Sequence, residues 1–66
     1  MKSLEKISKS THLVKHNGVV LGSVRERDDG VCFYAIGDPS KSGMHVPMEC
    51  SYRQEGIVKI YQHHGL

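Results

Sequence analysis

The residues best able to bind a metal ion are five histidines and two cysteines. Structural zinc sites take their ligands from close pairs such as C-x₂₋₄-C and H-x₃₋₅-H. Cys32 and Cys50 each stand alone in the sequence. His12 and His16 are four positions apart, but in a strand this spacing separates them by roughly 13 Å. We therefore expect no metal site and no cofactor.

The cysteines and serines are also candidate nucleophiles. Nucleophilic catalysis needs a base within hydrogen-bonding reach, together with a pocket for the substrate. The predicted strand pairing places no histidine beside Cys32. It places Cys50 on an apolar side, where a thiol behaves as a small hydrophobic group. Because 66 residues also leave little room for a substrate cleft, the sequence predicts no enzymatic activity and no small-molecule substrate.

Length and composition limit the chain to one small globular domain. Hydrophobic residues make up 38% of the chain, well above the level of a disordered protein. The net charge of +2 is too small to indicate a nucleic-acid-binding protein by itself. No apolar run approaches the length of a membrane span, and residues 1–6 lack the apolar stretch of a signal peptide. We expect a cytoplasmic protein with free thiols.

The sequence divides into a polar arm, residues 1–10, and a single small β domain, residues 11–66. In the arm, Lys2, Lys6 and Lys9 outweigh Glu5. Ser3 is a suitable cap for one or two helical turns, but so short a helix is marginal unless it docks. The alternative is an extended arm.

Two turn signals organise the first half of the β domain. Asn17-Gly18 is the strongest short-range signal for a hairpin, because a type I′ turn needs positive φ at both central residues. A second turn is predicted at Asp29-Gly30. Two-residue loops at both turns pair Lys15 with Val20, Val14 with Leu21, Arg25 with Tyr34 and Arg27 with Cys32.

The alternation of side chains along each strand assigns the residues of this meander to two faces. The predicted core face carries the apolar residues Leu13, Val20, Val24, Val31, Phe33 and Ala35. The predicted outer face carries the polar and aromatic residues His12, His16, Arg25, Arg27 and Tyr34. The outer face also carries an aliphatic strip formed by Val14, Leu21, Cys32 and Ile36.

The second half of the β domain predicts one more hairpin. Residues 44–50 alternate between apolar and polar, and Pro47 places this strand at an edge or bulge. Gly56 fits the left-handed position of a three-residue loop, residues 54–56, with a partner strand from residue 57 to about 63. The fold class is then all-β, with about five antiparallel strands in a bent sheet or an SH3-like barrel. The alternative is an α+β fold with one short helix near 47–54.

Basic and aromatic residues share the predicted outer surfaces of the two hairpins. Cations that track phosphates beside rings that stack on bases are typical of single-stranded nucleic-acid binding. Cross-strand Arg–Tyr pairs on a solvated sheet face are the alternative interpretation. The candidate nucleic-acid-binding residues are Arg25, Arg27, Tyr34, Arg53, Lys59 and Tyr61, together with Lys2, Lys6 and Lys9 of the arm.

The aliphatic strip on the outer face indicates contact with another protein. Exposed apolar patches on a small chain mark interaction surfaces, and a domain of this size has little stability in reserve. The candidate interface residues are Val14, Leu21, Cys32 and Ile36. We expect a non-catalytic binding or regulatory accessory module that forms a homodimer or binds a larger protein, with nucleic-acid binding as the alternative.

Overall fold

The computed structural model describes residues 1–41 and 46–66. Five strands form one antiparallel sheet in sequence order: β1 (Lys2–Lys6), β2 (Thr11–His16), β3 (Val19–Glu26), β4 (Cys32–Ile36) and β5 (Met48–Cys50). Helix α1 (Arg53–His63) follows and packs against β3 and β4 on one face of the sheet. The predicted fold of about five antiparallel strands is confirmed. The described chain also has one helix, as in the α+β alternative, but at residues 53–63 instead of 47–54. The sheet is open, with β1 and β5 at its edges, so the SH3-like barrel is not formed.

The predicted polar arm contributes the first strand of the sheet. β1 pairs along its whole length with β2, from Lys2 opposite His16 to Lys6 opposite His12. The backbone N–H of Asn17 donates to the carbonyl of Met1 at 3.0 Å, which continues this pairing. The extended alternative for these residues is therefore correct, and the short helix is not formed. All five residues of β1 are exposed.

The first hairpin has the predicted turn, but its register changes after two residue pairs. Asn17 and Gly18 have φ angles of 53° and 81°, as a type I′ turn requires. Lys15 pairs with Val20 as predicted, whereas Val14 pairs with Gly22 instead of Leu21. The extra residue, Leu21, forms a β-bulge, which the alternation of residue types does not reveal.

The second hairpin has a loop one residue longer than predicted. Arg27 donates its backbone N–H to Val31 at 2.9 Å, and the loop between them contains Gly30 at a φ of 88°. This is the three-residue loop that places glycine in the left-handed region. Because the loop is longer by one residue, Arg25 pairs with Phe33 instead of the predicted Tyr34.

The bulge turns residues 22–26 of β3 over relative to β2 and β4, because a slip of one residue reverses the direction of each side chain. α1 covers the face of β2 and β4 that was predicted to be the outer one. Val14, Leu21, Cys32 and Ile36, predicted to lie on the outer face, lie on the face that α1 covers; the first three are buried and Ile36 packs against the core. Tyr34 also packs against this core. Of the predicted core face, only Val24 is buried, and the half-buried residues are Leu13, Val20, Val31, Phe33 and Ala35.

The predicted C-terminal hairpin is wrong, because residues 53–63 form the helix. Ile57, Ile60 and Tyr61 recur at helical spacing and form the buried stripe of α1. Gly56 is a helix residue that lets α1 approach the sheet. A β-carbon at this glycine would lie 3.0 Å from Cβ of Tyr34. The alternative α+β interpretation placed its helix near 47–54, so its predicted start lies six residues before the observed one at Arg53.

The edge strand β5 agrees with part of the predicted strand over residues 44–50. Met48–Cys50 pairs with β4 at the edge of the sheet, directly after Pro47. Residues 44 and 45 of that prediction lie outside the described residues.

The core lies between α1 and the central strands. Its buried members are Val14, Leu21, Val24, Ile57, Ile60 and Tyr61. The hydroxyl of Tyr61 donates to the carbonyl of Lys15 at 2.9 Å, which satisfies the polar end of a buried ring. His64, just beyond the helix, donates from Nε2 to the carbonyl of Leu21 at 3.3 Å. These two hydrogen bonds join the end of α1 to β2 and β3.

Candidate functional site

The candidate functional site is the face of the sheet opposite α1, which we call the open face. No described helix or strand packs against it. Residues that pair directly across strands share a face, and the register therefore assigns its members. They are Ser3, Glu5, Thr11, Leu13, Lys15, Val20, Ser23, Arg25, Phe33, Ala35 and Glu49.

The centre of the open face is apolar. Ser23 lies opposite Leu13 on one side and opposite Ala35 on the other. Phe33 follows in the next row of the sheet, opposite Arg25, and Val20 lies in the row on the other side. All of these residues except Arg25 are half-buried, so each leaves part of its surface in contact with solvent. Partly exposed apolar side chains on one face of a small protein form a candidate interaction surface.

One end of the open face carries an arginine–aromatic cluster. Arg25 is exposed and pairs across the strands with Phe33. The guanidinium of Arg27 lies over the ring of Phe33, 5.7 Å from its centroid, in a cation–π contact. Arg27 also donates to the carboxylate of Asp29. The ring is therefore bordered by two cations, and it is half-buried rather than part of the core.

Acidic residues balance the cations of the open face. Lys15 forms an ion pair with Glu5 at 2.9 Å, and Asp29 is the partner of Arg27. Glu49 lies opposite Phe33 on the side away from Arg25. Three cations and three anions thus border the apolar centre: Lys15, Arg25 and Arg27 with Glu5, Asp29 and Glu49.

The ion pair between Arg27 and Asp29 shifts the pKa values of both groups. The hydrogen bond to Asp29 raises the pKa of the Arg27 guanidinium. The hydrogen bond from Arg27, followed by that from the backbone of Val31 at 3.1 Å, lowers the pKa of the Asp29 carboxyl. Both side chains are half exposed, so the pair orients Arg27 over Phe33 more than it stabilises the fold.

A shallow groove of about 470 Å³ crosses the arginine–aromatic end of the open face. Phe33, Tyr34 and Ala35 line the groove together with the cationic residues Arg25 and Arg27. Thr11, Ser23 and Pro47 complete the lining of the groove.

The structure does not bring the nine predicted nucleic-acid-binding residues together. Arg25 and Arg27 lie at the open face, but Tyr34 lies on the opposite face against the core. Lys59 borders a depression on the outer side of α1. Tyr61 is buried and is not accessible to a base.

The lysines of the former arm are also dispersed. The ammonium of Lys2 lies 4.7 Å from the centroid of the Tyr61 ring, and Lys6 pairs with His12 in the sheet. Lys9 and Arg53 line a small depression together with Arg27, beside the acidic residues Glu26 and Asp28. The aromatic residue that lies beside two arginines is Phe33, which was predicted to lie in the core. Gly30 could have indicated this position. A glycine at the end of a three-residue loop, residues 28–30, predicts the observed pairing of Arg25 with Phe33.

The two cysteines are neighbours in the structure although they are distant in the sequence. Both are free and buried, and Cys32 pairs directly with Cys50 across β4 and β5. Burial is the main cause that raises the pKa of both thiols, and Glu26 raises that of Cys32 further. Among the described residues, no group of three or more histidine, cysteine, aspartate or glutamate side chains is arranged to hold a metal ion.

The fold and the site together define a small two-layer protein, with one helix on one face of an open antiparallel sheet and an apolar, charge-bordered surface on the other. In the part of the chain that the structure describes, no helix has the length and apolar character needed to cross a membrane. No protein-family model matches this chain, and no curated protein or solved structure is a significant match.

Proposed function

We propose that this chain is a small, non-catalytic binding module that forms a homodimer through its open face. The observation that carries this proposal is the half-buried apolar centre bordered by charges of both signs. Leu13, Val20, Phe33 and Ala35 lie on the face against which no described helix or strand packs. Contact with another apolar surface would remove their remaining exposed area from water, at about 25 cal/mol per Å².

The charge pattern favours a second copy of this chain as the occupant. In a twofold dimer the same patch meets itself, so the patch must complement its own charges. Arg25 stands at one end of the apolar centre and Lys15 at the other. Glu5, the ion-pair partner of Lys15, lies at the β1 edge of the central row, opposite Leu13. The equal number of cations and anions avoids net repulsion.

The size of the chain is compatible with this arrangement. A standard interface buries roughly 800 Å² on each partner. A molecule that measures 31 × 23 × 20 Å offers faces of about that area. Such an interface would therefore occupy most of the open face, including the arginine–aromatic end.

The test is the mass in solution at about 50 µM, measured by sedimentation equilibrium or light scattering. We expect a species near twice the chain mass of 7.4 kDa. Val20 and Val19 offer a matched pair of variants, because Val20 belongs to the open face whereas its neighbour Val19 points the other way and is 61% exposed. Val20→Asp should give a folded monomer, and Val19→Asp should leave the dimer intact.

Two results would contradict the proposal. One is a strictly monomeric wild-type protein over the concentration range tested. The other is an equal effect of Val20→Asp and Val19→Asp on a dimer that does form. A dimer that neither variant disturbs would indicate a different interface, such as pairing along the edge strand β1.

A second candidate function is binding of single-stranded nucleic acid, favoured by the position of Phe33 between Arg25 and Arg27. A ring beside cations can stack on a base while the cations contact phosphates. Asp29 and Glu49 oppose this interpretation, because they cancel positive charge at the same end.

Fluorescence anisotropy with a labelled oligonucleotide at about 50 mM salt tests this second function, since phosphate contacts are strongest at low salt. Arg25→Ala should make the log–log salt slope shallower by about 0.7. Phe33→Ala should cost about 1–3 kcal/mol in binding free energy with little change in slope. Lys59→Ala, on the outer side of α1, is the control. Absence of binding by the wild-type protein would exclude this function.

A further inference from the structure

Cys32 and Cys50 are placed as the two halves of a disulfide. They are direct partners in the ladder between β4 and β5. Directly opposite residues of antiparallel strands have Cα atoms about 4.5 or 5.5 Å apart. Both distances fall within the range of about 4.4–6.8 Å that disulfides span. Because paired residues point to the same side of the sheet, the two thiols lie next to each other under α1.

The surroundings of the two thiols are closed but close to an edge of the fold. Cys32 is 2% exposed, and its Sγ lies 3.6 Å from Oε2 of Glu26 and 3.7 Å from the carbonyl of Gly30. Cys50 is 6% exposed, and a β-carbon built on Gly56 of the helix would lie 3.1 Å from its Sγ. Cys50 also belongs to β5, a three-residue strand at the edge of the sheet. Separation of so short an edge strand would expose both thiols.

We propose that Cys32 and Cys50 form a reversible disulfide across β4 and β5, and that this pair is a redox-modification site. The oxidant is a low-molecular-weight disulfide. The thiolate of one cysteine attacks it, forms a mixed disulfide and releases one small thiol. The second cysteine then attacks the protein sulfur of the mixed disulfide and displaces the second small thiol. The two protein thiols lose two protons and two electrons in total, and the oxidant takes up both to become two thiols.

The bond would have a defined structural effect. It would join the edge strand β5 to β4 and close the chain segment between Cys32 and Cys50 into a loop. Closing a loop of this length restricts the unfolded chain, so the oxidised protein should be the more stable form. Because the bond forms within one chain, it does not depend on dimerisation through the open face.

The experiment exposes the folded, full-length chain to oxidised glutathione and follows intact mass, free thiols and thermal unfolding. We expect both thiols to disappear, the chain mass to fall by two hydrogen atoms, and no covalent dimer to form. The melting temperature should rise by on the order of 10 °C on oxidation, and it should return to that of the reduced protein when a reductant is added.

Single-cysteine variants provide the controls. Cys32→Ser and Cys50→Ser should each stop at the mixed disulfide with glutathione, because no second thiol can displace it. Cys32→Ala and Cys50→Ala repeat the measurement should the buried hydroxyl of serine impair folding. The proposal is overturned if the wild-type protein accumulates two glutathione adducts or only intermolecular disulfides. It is also overturned if the internally oxidised chain melts at a lower temperature than the reduced one.

Discussion

The substitution Gly22→Ala tests how closely α1, β3 and β4 pack together. An ideal β-carbon at Gly22 would lie 2.5 Å from the carbonyl oxygen of Ala35 and 3.1 Å from two methyl carbons of Ile60. The side chain of Ile60 can adjust, but the oxygen of Ala35 moves only with the backbone of β4. Overpacking of this kind costs about 1–3 kcal/mol and occasionally more. A domain of 66 residues has roughly 3–10 kcal/mol in total, so the loss is a large part of its stability.

The assay is urea unfolding followed by circular dichroism, with free energies obtained by linear extrapolation. Gly30→Ala is the matched control, because a β-carbon there meets no atom within 4 Å. Gly30→Ala should lower the free energy of unfolding only because alanine disfavours the left-handed backbone conformation at a φ of 88°, by about 1 kcal/mol. We expect Gly22→Ala to unfold at a clearly lower urea concentration than Gly30→Ala. The reverse order would refute the close approach of the helix and both strands.

Three further predictions concern the turn, the core and the loop. Gly18→Val places a β-branched residue at a φ of 81° and should cost roughly 1–3 kcal/mol; unchanged thermal unfolding would contradict the type I′ turn. Tyr61→Phe leaves the carbonyl of Lys15 without its donor and should lower the free energy of unfolding by about 1 kcal/mol, which urea unfolding can measure. Asp29 has a lowered pKa in the folded protein, so its contribution to stability is present above the unfolded-state value, about 3.9, and is lost as the pH falls through the folded-state pKa. An NMR titration should show Arg27→Ala raising the Asp29 pKa, and an unchanged value would exclude the ion pair.

The sequence predicted the local structure well wherever a turn has its own chemistry. Asn17-Gly18 allows positive φ at both positions, and the turn is present as expected. The register beyond the turn depended on a bulge at Leu21 and on the length of the loop that contains Gly30. Neither feature is visible in the sequence pattern, and β2 and β4 carry apolar residues on both faces, such as Leu13 beside Val14 and Cys32 beside Phe33. The face that α1 covers was therefore assigned incorrectly.

The helix was missed for a related reason. Gly56 between two polar residues and an apolar run is typical of a hairpin loop, and Ile60 fits both a strand and a helix. The contacts that decide between a strand and a helix are tertiary. Gly56 has no side chain and therefore packs closely against Tyr34 and Cys50, and Ile60 packs against Gly22. Those partners lie more than five residues away in the chain, and a local pattern does not contain them. Pairing of the two cysteines was hidden in the same way, because it depends on β4 and β5 being neighbours.

The composition of the open face is the strongest reason to assign it a partner. Among residues 1–41 and 46–66, the eleven-residue helix covers one side of the five-stranded sheet, and no described helix or strand covers the other side. Hydration alone would favour polar side chains at every outward position. Instead, Leu13 and Ala35 border Ser23, and Phe33 lies in the adjacent row. Cross-strand contacts among these residues also stabilise the sheet itself. If that were their only role, the wild-type protein would be a monomer and Val20→Asp would only lower its free energy of unfolding. Partner binding predicts that Val20→Asp changes the mass in solution while the fold is retained, which separates the two explanations.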